Sequence, residues 1–425
     1  VSAIRQFGSS SAEVFVLANE GADAAPRKAR TSRGGINLQK NPDNLGDQNP
    51  ERVQIQFDST LFGSTDYPAI KVGDQLSDVT GVMGYSFGNF EVNALGPVKI
   101  SPSLIAQETT WVTNSHNRLT IATYNILNLS ADDSDADQRA EVGQQIAVNL
   151  QAPDIIALQE VQDNNGQADE GVLDASATLQ AIIDAITAAG GPEYAGFDVA
   201  PTVATTDDNR DDPDTFGGVS FGNIRNAFLY NPARVSLISC TGLNRDVLEG
   251  RGVSVETAFD FSRDPLEAVF DFNGEEVILI NNHFTSRFGS SPIFGAIQPF
   301  IQAGEIDREE QSLAMNEVTH WHIEQNSCAN VVILGDLNTF EFTNDLKEIL
   351  PGVGKDKVLY NLVKRNLDDN NYSFIFEGNS QVLDHIFVTG TLRRGARFDF
   401  VHVNNDFPRR FDDVVGSDHE PLVAS

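Results

Sequence analysis

The rhythm of apolar and polar positions changes near residue 108. Before it, short alternating runs are separated by clusters of Gly, Asn, Asp and Pro: SAEVFVLAN, ERVQIQFD, DQLSDVTGVMGYSFGNFEVNAL and PVKISPS. Period-two runs bounded by turn formers predict strands, so residues 1–108 read as a small all-β domain. The boundary falls in PSLIAQETTWVTNSHN. Over 109–425 strands and helices alternate instead. RLTIATYNILNL alternates as a strand, and PDIIALQEV is wholly apolar, as a strand covered on both faces. DQRAEVGQQIAVNL and DASATLQAIIDAITAAG carry apolar residues at helical spacing; the first stops before Pro153 and the second at a glycine. NAFLYNPARVSLI, LEAVFDF, EEVILINNHF, NVVILGDLNTF, DHIFVTG and ARFDFVHVN predict further strands, with a helix over roughly Asp307 to Glu324. The expectation is a layered α/β domain.

Several of these strands end on polar groups: Tyr124-Asn125, Gln159-Glu160, Asn282-His283, Asp336-Leu337-Asn338, Asp384-His385 and, further on, Asp418-His419. Any one of them alone reads as a cap or turn former. Six in one chain point to a shared site, because loops at strand ends are where sheet enzymes gather their chemistry.

Charge narrows the partners. The chain has 29 Lys and Arg against 61 Asp and Glu, a net of −32. A general field of that sign repels polyanions, so any contact with phosphate must be local. Only eight lysines occur, none between Lys99 and Lys347, and this acidic, Lys-poor composition fits a secreted or salt-exposed protein as well as a merely soluble one. Most N-terminal positive charge (Arg27, Lys28, Arg30, Arg33, Lys40, Arg52) sits in or beside the polar stretch 21–51, which reads either as a basic loop for nucleic acid or as a solvated connection. No apolar run approaches the length of about 18 residues that a membrane span requires, and no membrane or protein partner is inferred. The chain starts at Val1 without a basic and apolar leader, as a mature or trimmed form would. Cys240 and Cys328 leave two readings open, one disulfide or two separate thiols.

Two acidic clusters raise the question of a structural Ca²⁺: Asp132, Asp133, Asp135 and Asp137, and Asp207, Asp208, Asp211, Asp212 and Asp214. The first has the odd-position spacing of an EF-hand, but Gln138 and Gln144 replace the required Gly and Glu, so it is not one. Solvated acidic loop and Ca²⁺ loop both stand.

Taken together and in order, TIATYNILN, PDIIALQEV, INNHF, ILGDLNTF, LDHIFV and GSDHEPL resemble the motifs of the endonuclease/exonuclease/phosphatase superfamily over roughly residues 117–425. QEVQDNNG, GVLDASATLQAIIDAI and NHFTSRFGSSP are similar to bacterial secreted extracellular nucleases, and VGDQLSDVTGVMGYSFGNFEV to the OB-fold-like domain such nucleases carry. The usual early strands of that domain are missing before Val1, so an incomplete one is expected. The resemblance implies a deoxyribonuclease-like α/β sandwich of two packed sheets flanked by helices, an extracellular location, and hydrolysis of phosphodiesters in DNA, with RNA a further substrate. Phosphomonoesterase or phospholipid phosphodiesterase activity is the alternative within the superfamily. A noncatalytic, acidic, Ca²⁺-binding matrix protein is the alternative outside it.

Residue by residue, the resemblance implies Mg²⁺ or Mn²⁺ on Glu160 and Asp418, with Asn125 as neutral ligand or phosphate holder. Asp336 is the expected base and Asn338 orients the water. His283 and His419 stabilise phosphate oxygens, and Asp384 fixes the tautomer of His419; spacing does not identify an acidic partner for His283. Arg225, Asn226 and Arg287 are the expected substrate contacts, with Phe288 and Phe294 either stacking on bases or packed. His385 adjoins Asp384 and by strand alternation points away from it.

Overall fold

In the computed structural model, residues 1–7, 11–21, 29–41, 46–62, 69–168, 171–201, 221–366, 369–407 and 416–425 are described. The N-terminal strands are β1 (Ala3–Phe7), β2 (Ser11–Leu17), β3 (Arg52–Asp58), β4 (Gln75–Leu76), β5 (Gly81–Ser86), β6 (Asn89–Ala94) and β7 (Ile100–Ser101), with one short helix, α1 (Ser59–Phe62). They form a five-stranded sheet in the order β1-β2-β3-β6-β5, antiparallel except where β6 returns parallel to β3, and a separate β4-β7 pair. Ala12, Val14, Ile55, Phe57 and Ile70 fill its core.

The second domain contributes β8 (Ile121–Leu129), β9 (Ile155–Val161), β10 (Ala195–Asp198), β11 (Arg225–Tyr230), β12 (Ser236–Gly242), β13 (Leu266–Phe272), β14 (Glu275–His283), β15 (Val331–Asp336), β16 (Leu359–Asn361), β17 (Phe374–Phe376), β18 (Asn379–Gln381), β19 (Asp384–Thr389), β20 (Phe398–Phe400) and β21 (Leu422–Ala424). Its helices are α2 (Ala136–Gln144), α3 (Ser176–Ala188), α4 (Arg245–Gly250), α5 (Glu305–Gln325) and α6 (Gly390–Arg393). Two six-stranded sheets result, β10-β11-β9-β8-β21-β20 and β12-β13-β14-β15-β19-β16, each with one parallel pair at its middle. Ile155, Ala157, Phe228, Leu279, Leu334 and Ile386 pack between the sheets. The other face of the first sheet packs against residues of α2 and α3, and that of the second against residues of α5. The domain is thus a sandwich of two sheets flanked by helices. Among the described residues no helix is long and apolar enough to cross a membrane.

A polar lock crosses the dry space between the sheets. Gln159 Nε2 donates to Asn281 Oδ1 at 2.6 Å, and Asn281 Nδ2 donates to the carbonyls of Leu158 and Ala227, both at 2.9 Å. Buried amides satisfied this fully fix the lateral position of one sheet on the other.

The N-terminal sheet and the two-sheet sandwich are joined by polar contacts. Arg33 pairs with Asp406, while Leu38 N donates to Ser380 O and Ser380 N to Ile36 O, both at 2.8 Å. Arg33 and Arg52 are each 8% exposed, so the N-terminal basic stretch is corrected: these two residues are interior, and Arg27 and Lys28 lie outside the described residues. Cys240 and Cys328 are both exposed free thiols, not a disulfide. Asp132 and Asp135 serve the start of the 133–144 helical stretch, accepting from Ser134 N at 2.8 Å and Ser130 N at 2.9 Å. The cluster Asp207–Asp214 lies outside the described residues.

Candidate active site

Strand parity builds the site. Leu279, Leu334 and Ile386 face the gap between the sheets, so the two-residue repeat sends His283, Asp336 and Asp384 to the same side. The registers then set them abreast: His283 is opposite Asp336 on β14 and β15, and Asp336 opposite Asp384 on β15 and β19. On the other sheet Ile121 and Ile155 face the same gap, which brings Asn125 and Gln159 inward. Gly335 makes the close approach of β14 possible, with φ +132 and Asn282 O only 1.9 Å from where a Cβ would stand. Glu160 and Asn338 hold left-handed φ values of 61 and 51 just where their strands end. Such backbone is costly for non-glycine residues and is kept where the surroundings impose it.

Asn125 ties the sheets together at this end. Its Nδ2 donates to Glu160 Oε1 at 3.0 Å and to Asp336 Oδ2 at 3.2 Å, while its Oδ1 accepts from Leu127 N at 3.1 Å. Asn125 therefore holds the two carboxylates in place. Glu160 Oε2 accepts from Asn128 N at 3.0 Å. Asp336 Oδ1 accepts from Asn338 N at 2.9 Å, and Asn338 Nδ2 donates to Phe284 O at 3.1 Å.

Histidines flank this pair. His419 Nδ1 lies 2.7 Å from Asp384 Oδ2, and its Nε2 3.7 Å from Asp336 Oδ2. His283 Nε2 lies 3.6 Å from Asp336 Oδ2 and 3.8 Å from Glu160 Oε1, so these are the carboxylates nearest its ring. Its Nδ1 is buried without a hydrogen bond among the described residues. His385 turns to the opposite face, with Nε2 3.0 Å from Thr339 O and Nδ1 3.1 Å from Asn361 Nδ2.

The environment splits the two histidines. Burial, then the charges of Arg263 and His419, hold His283 well below its ordinary value, which favours the uncharged ring. Burial also opposes charge on His419, but Asp384, Asp336 and Asp418 outweigh it and raise that imidazole well above the ordinary value. Burial pushes the Asp336 carboxyl up to about 7, with His419 opposing and Asp384 adding. Glu160 is raised by burial and by the like charge of Asp418.

Some residues here carried no signal in the sequence. Ser417 Oγ donates to Asn125 O at 2.6 Å and accepts from His419 N at 3.0 Å, joining the His419 turn to β8. Ser373 Oγ accepts from Asp384 N at 3.0 Å. Arg263 Nη2 donates to the carbonyls of His283 and Phe284 at 3.1 and 2.7 Å, pinning the end of β14.

The expected substrate contacts are less uniform. Arg225 is 3% exposed; its guanidinium pairs with Asp198 at 3.0 Å and donates to the carbonyls of Leu173 and Asn223. In this arrangement it supports the framework, while its Nη2 has no partner among the described residues. Asn226 shares the inward parity of Phe228; its Nδ2 donates to Asp264 O at 2.9 Å, and its Oδ1 has no partner among the described residues. Arg287 lies 4.2 Å from the Phe340 ring, two residues beyond Asn338, and donates to Gln302; burial and Arg308 lower it to about 9. Phe288 is 79% exposed, whereas Phe294 packs against Phe90 and beneath Arg52 of the N-terminal domain.

Two donor sets could hold a cation. Asp336, Asp384 and His419 present ligand atoms within 4.8 Å of one another, but His419 and Asp384 are already hydrogen-bonded to each other. Glu160 is raised by the like charge of half-buried Asp418, and among the described residues neither is ion-paired with Lys or Arg. Hard carboxylate oxygens without an ion-pair partner suit a divalent cation, so Glu160 and Asp418 are the second candidate pair.

Residues 122–419, well over half the chain, match the model of the endonuclease/exonuclease/phosphatase family. The chain belongs to this family. Its members generally use divalent metals, and the family comprises hydrolases of phosphate esters. Residues 2–103 match a domain family of unknown function. No curated protein matches the chain. Similar solved structures include D. rerio TDP2 complexed with single-strand DNA product (14% identity, 72% of this chain and 97% of that one, TM-score 0.44) and the human Nocturnin catalytic domain (15%, 72% and 94%, 0.44). A Bacteroides thetaiotaomicron mannosyl-6-phosphatase is a third (18%, 72% and 99%, 0.43).

Proposed function

We propose that this family member is a secreted, divalent-metal-dependent nuclease that hydrolyses phosphodiester bonds in DNA, with RNA as a further substrate. The observation that carries the reading is the join across the two sheets, in which one amide, Asn125, holds both Glu160 and Asp336 beside two histidines of opposite charge tendency. Mg²⁺ or Mn²⁺ held by Glu160 and Asp418 would supply neutralisation of charge growing on the phosphoryl oxygens. Asp336, raised toward neutrality by burial, is suited to take the proton of the attacking water, and Asn338 fixes the rotamer of its carboxylate. Charged His419 donates from Nε2 to a phosphoryl oxygen or to the departing oxygen, with Asp384 holding its Nδ1. Neutral His283 supplies a second, uncharged contact.

Nucleic acid is favoured over other phosphate esters by the text around the motifs, QEVQDNNG and NHFTSRFGSSP. The N-terminal sheet, with its three-stranded meander and parallel return of β6, supports the OB-like reading, a fold suited to single strands. Turnover of plasmid DNA, RNA, inositol phosphate and sphingomyelin in Mg²⁺ tests the proposal. Cleavage confined to the nucleic acids is expected; preferred hydrolysis of either other substrate would replace this reading with the phosphatase or phospholipid one.

A further inference from the structure

Positive charge is unevenly placed in this acidic chain. Residues 347–397 hold eight Lys and Arg against six Asp and Glu, 8 − 6 = +2, where the whole chain carries −32. Half of the eight lysines fall in that stretch. The fold concentrates them further. A cavity of about 160 Å³ beside edge strand β16 is lined by Lys347, Lys357, Lys364, Arg365, Arg393 and Tyr360, among others. Tyr360 organises it: the Arg393 guanidinium lies 4.2 Å from the ring centroid and Lys357 Nζ 5.3 Å. Arg365 donates to the Arg393 carbonyl and fixes the rim.

These cations are poorly matched by the protein. Lys347 meets Glu348 at 3.6 Å, an exposed pair of little consequence. Among the described residues no carboxylate stands in ion-pair contact with Lys357, Lys364, Arg365 or Arg393. Burial and the neighbouring Lys357 and Lys347 lower the Lys364 ammonium from its ordinary value against the pull of Glu341, so the like charges act on one another. Converging ammonium and guanidinium donors are a recurring arrangement for tetrahedral oxyanions. The cavity is also separate from the catalytic cluster. Tyr360 pairs with Val388, four residues along β19 from Asp384, or about 13 Å at the usual strand rise.

We propose that this cavity is a second phosphoryl-binding site, taking a phosphate group that is either free or part of a polymer whose scissile bond lies at the catalytic cluster. The polymer source rests on the nuclease reading; the free-phosphate source does not.

The test is equilibrium binding of radiolabelled inorganic phosphate to the full chain in EDTA, which removes any contribution from cations at Glu160 and Asp418. Saturable binding is expected in the unaltered protein and in His283→Ala alike. The double variant Lys357→Glu/Lys364→Glu should weaken it by about tenfold or more. Arg393→Glu, at an exposed position independent of those two, should act in the same direction. Absence of saturable binding, binding that survives the reversals, or binding abolished in His283→Ala, overturns the proposal. Affinity for a long fluorescent oligonucleotide, measured in the same double variant, separates the sources: a parallel loss assigns the site to substrate backbone, and unchanged affinity assigns it to free phosphate. None of these readouts requires hydrolysis, so a failed nuclease reading leaves the phosphate result interpretable.

Discussion

His419 Nδ1 lies 2.7 Å from Asp384 Oδ2, and through that contact Asp384 sets both the direction and the charge of a ring whose other nitrogen faces Asp336. With Asp384 removed, only Asp336 and Asp418 would oppose burial at His419, and the ring would lose its charge more readily.

Asp384→Asn should therefore lower kcat by about 10²-fold or more. The alkaline limb of the pH–rate profile should move to lower pH, because the charged donor is lost sooner. A raised histidine stabilises the fold fully below its unfolded value of 6.5, and this contribution fades as pH rises through the folded value. The variant should show less of that fade in thermal melts. An unshifted alkaline limb would assign that limb to another group.

Ser417→Ala removes the hydroxyl between Asn125 O and His419 N. A stability loss of about 1–3 kcal/mol is expected from the two unmatched backbone groups. Activity should fall by more than the fraction unfolded explains, since the His419 turn loses its anchor to β8. Denaturant titration beside steady-state rates separates the two effects.

Asn281→Ala tests the lock between the sheets. It strips partners from Gln159 and from the Leu158 and Ala227 carbonyls at once. The expected cost is about 2–4 kcal/mol, larger than for a single hydrogen bond because every orphaned group is buried. A loss under half a kilocalorie would mean that the sheets are positioned by apolar packing alone.

Glu341 is a half-buried carboxyl outside the catalytic cluster, raised by desolvation to about 7 despite Lys364. Its folded value exceeds its unfolded value of 4.5, so the folded chain holds the proton more tightly and stability falls as pH rises between the two. Glu341→Gln should flatten that decline and add about 1–2 kcal/mol at pH 8, allowing for partial solvent access. Melting temperatures of both proteins from pH 4 to 8 make the comparison.

Long periodic elements were legible from sequence: α5 spans Glu305–Gln325 against an expectation of 307–324, and β8, β9, β14 and β15 fall where alternation or apolar runs placed them. Alternation also carried the site, because His283, Asp336 and Asp384 inherit the face of the apolar residues before them. Three-residue strands such as β16 and β21 have too few positions to display a period, so β21, which joins β8 to β20, was invisible. The ion-pair partner of Arg225 was illegible for a different reason. A sequence with 61 acids cannot say which of them a given arginine meets, and here it is Asp198. Ser417 and Arg263 act through backbone groups, which no side-chain motif advertises.

The most direct test of the central claim is Mg²⁺-dependent cleavage of end-blocked DNA by the unaltered protein and by Asp336→Asn, with melting temperatures measured alongside. The account predicts cleavage that stops in EDTA and returns with Mg²⁺, and a fall of about 10²–10⁴-fold in the variant without loss of fold. Full activity in Asp336→Asn, or cleavage indifferent to chelation, would contradict it.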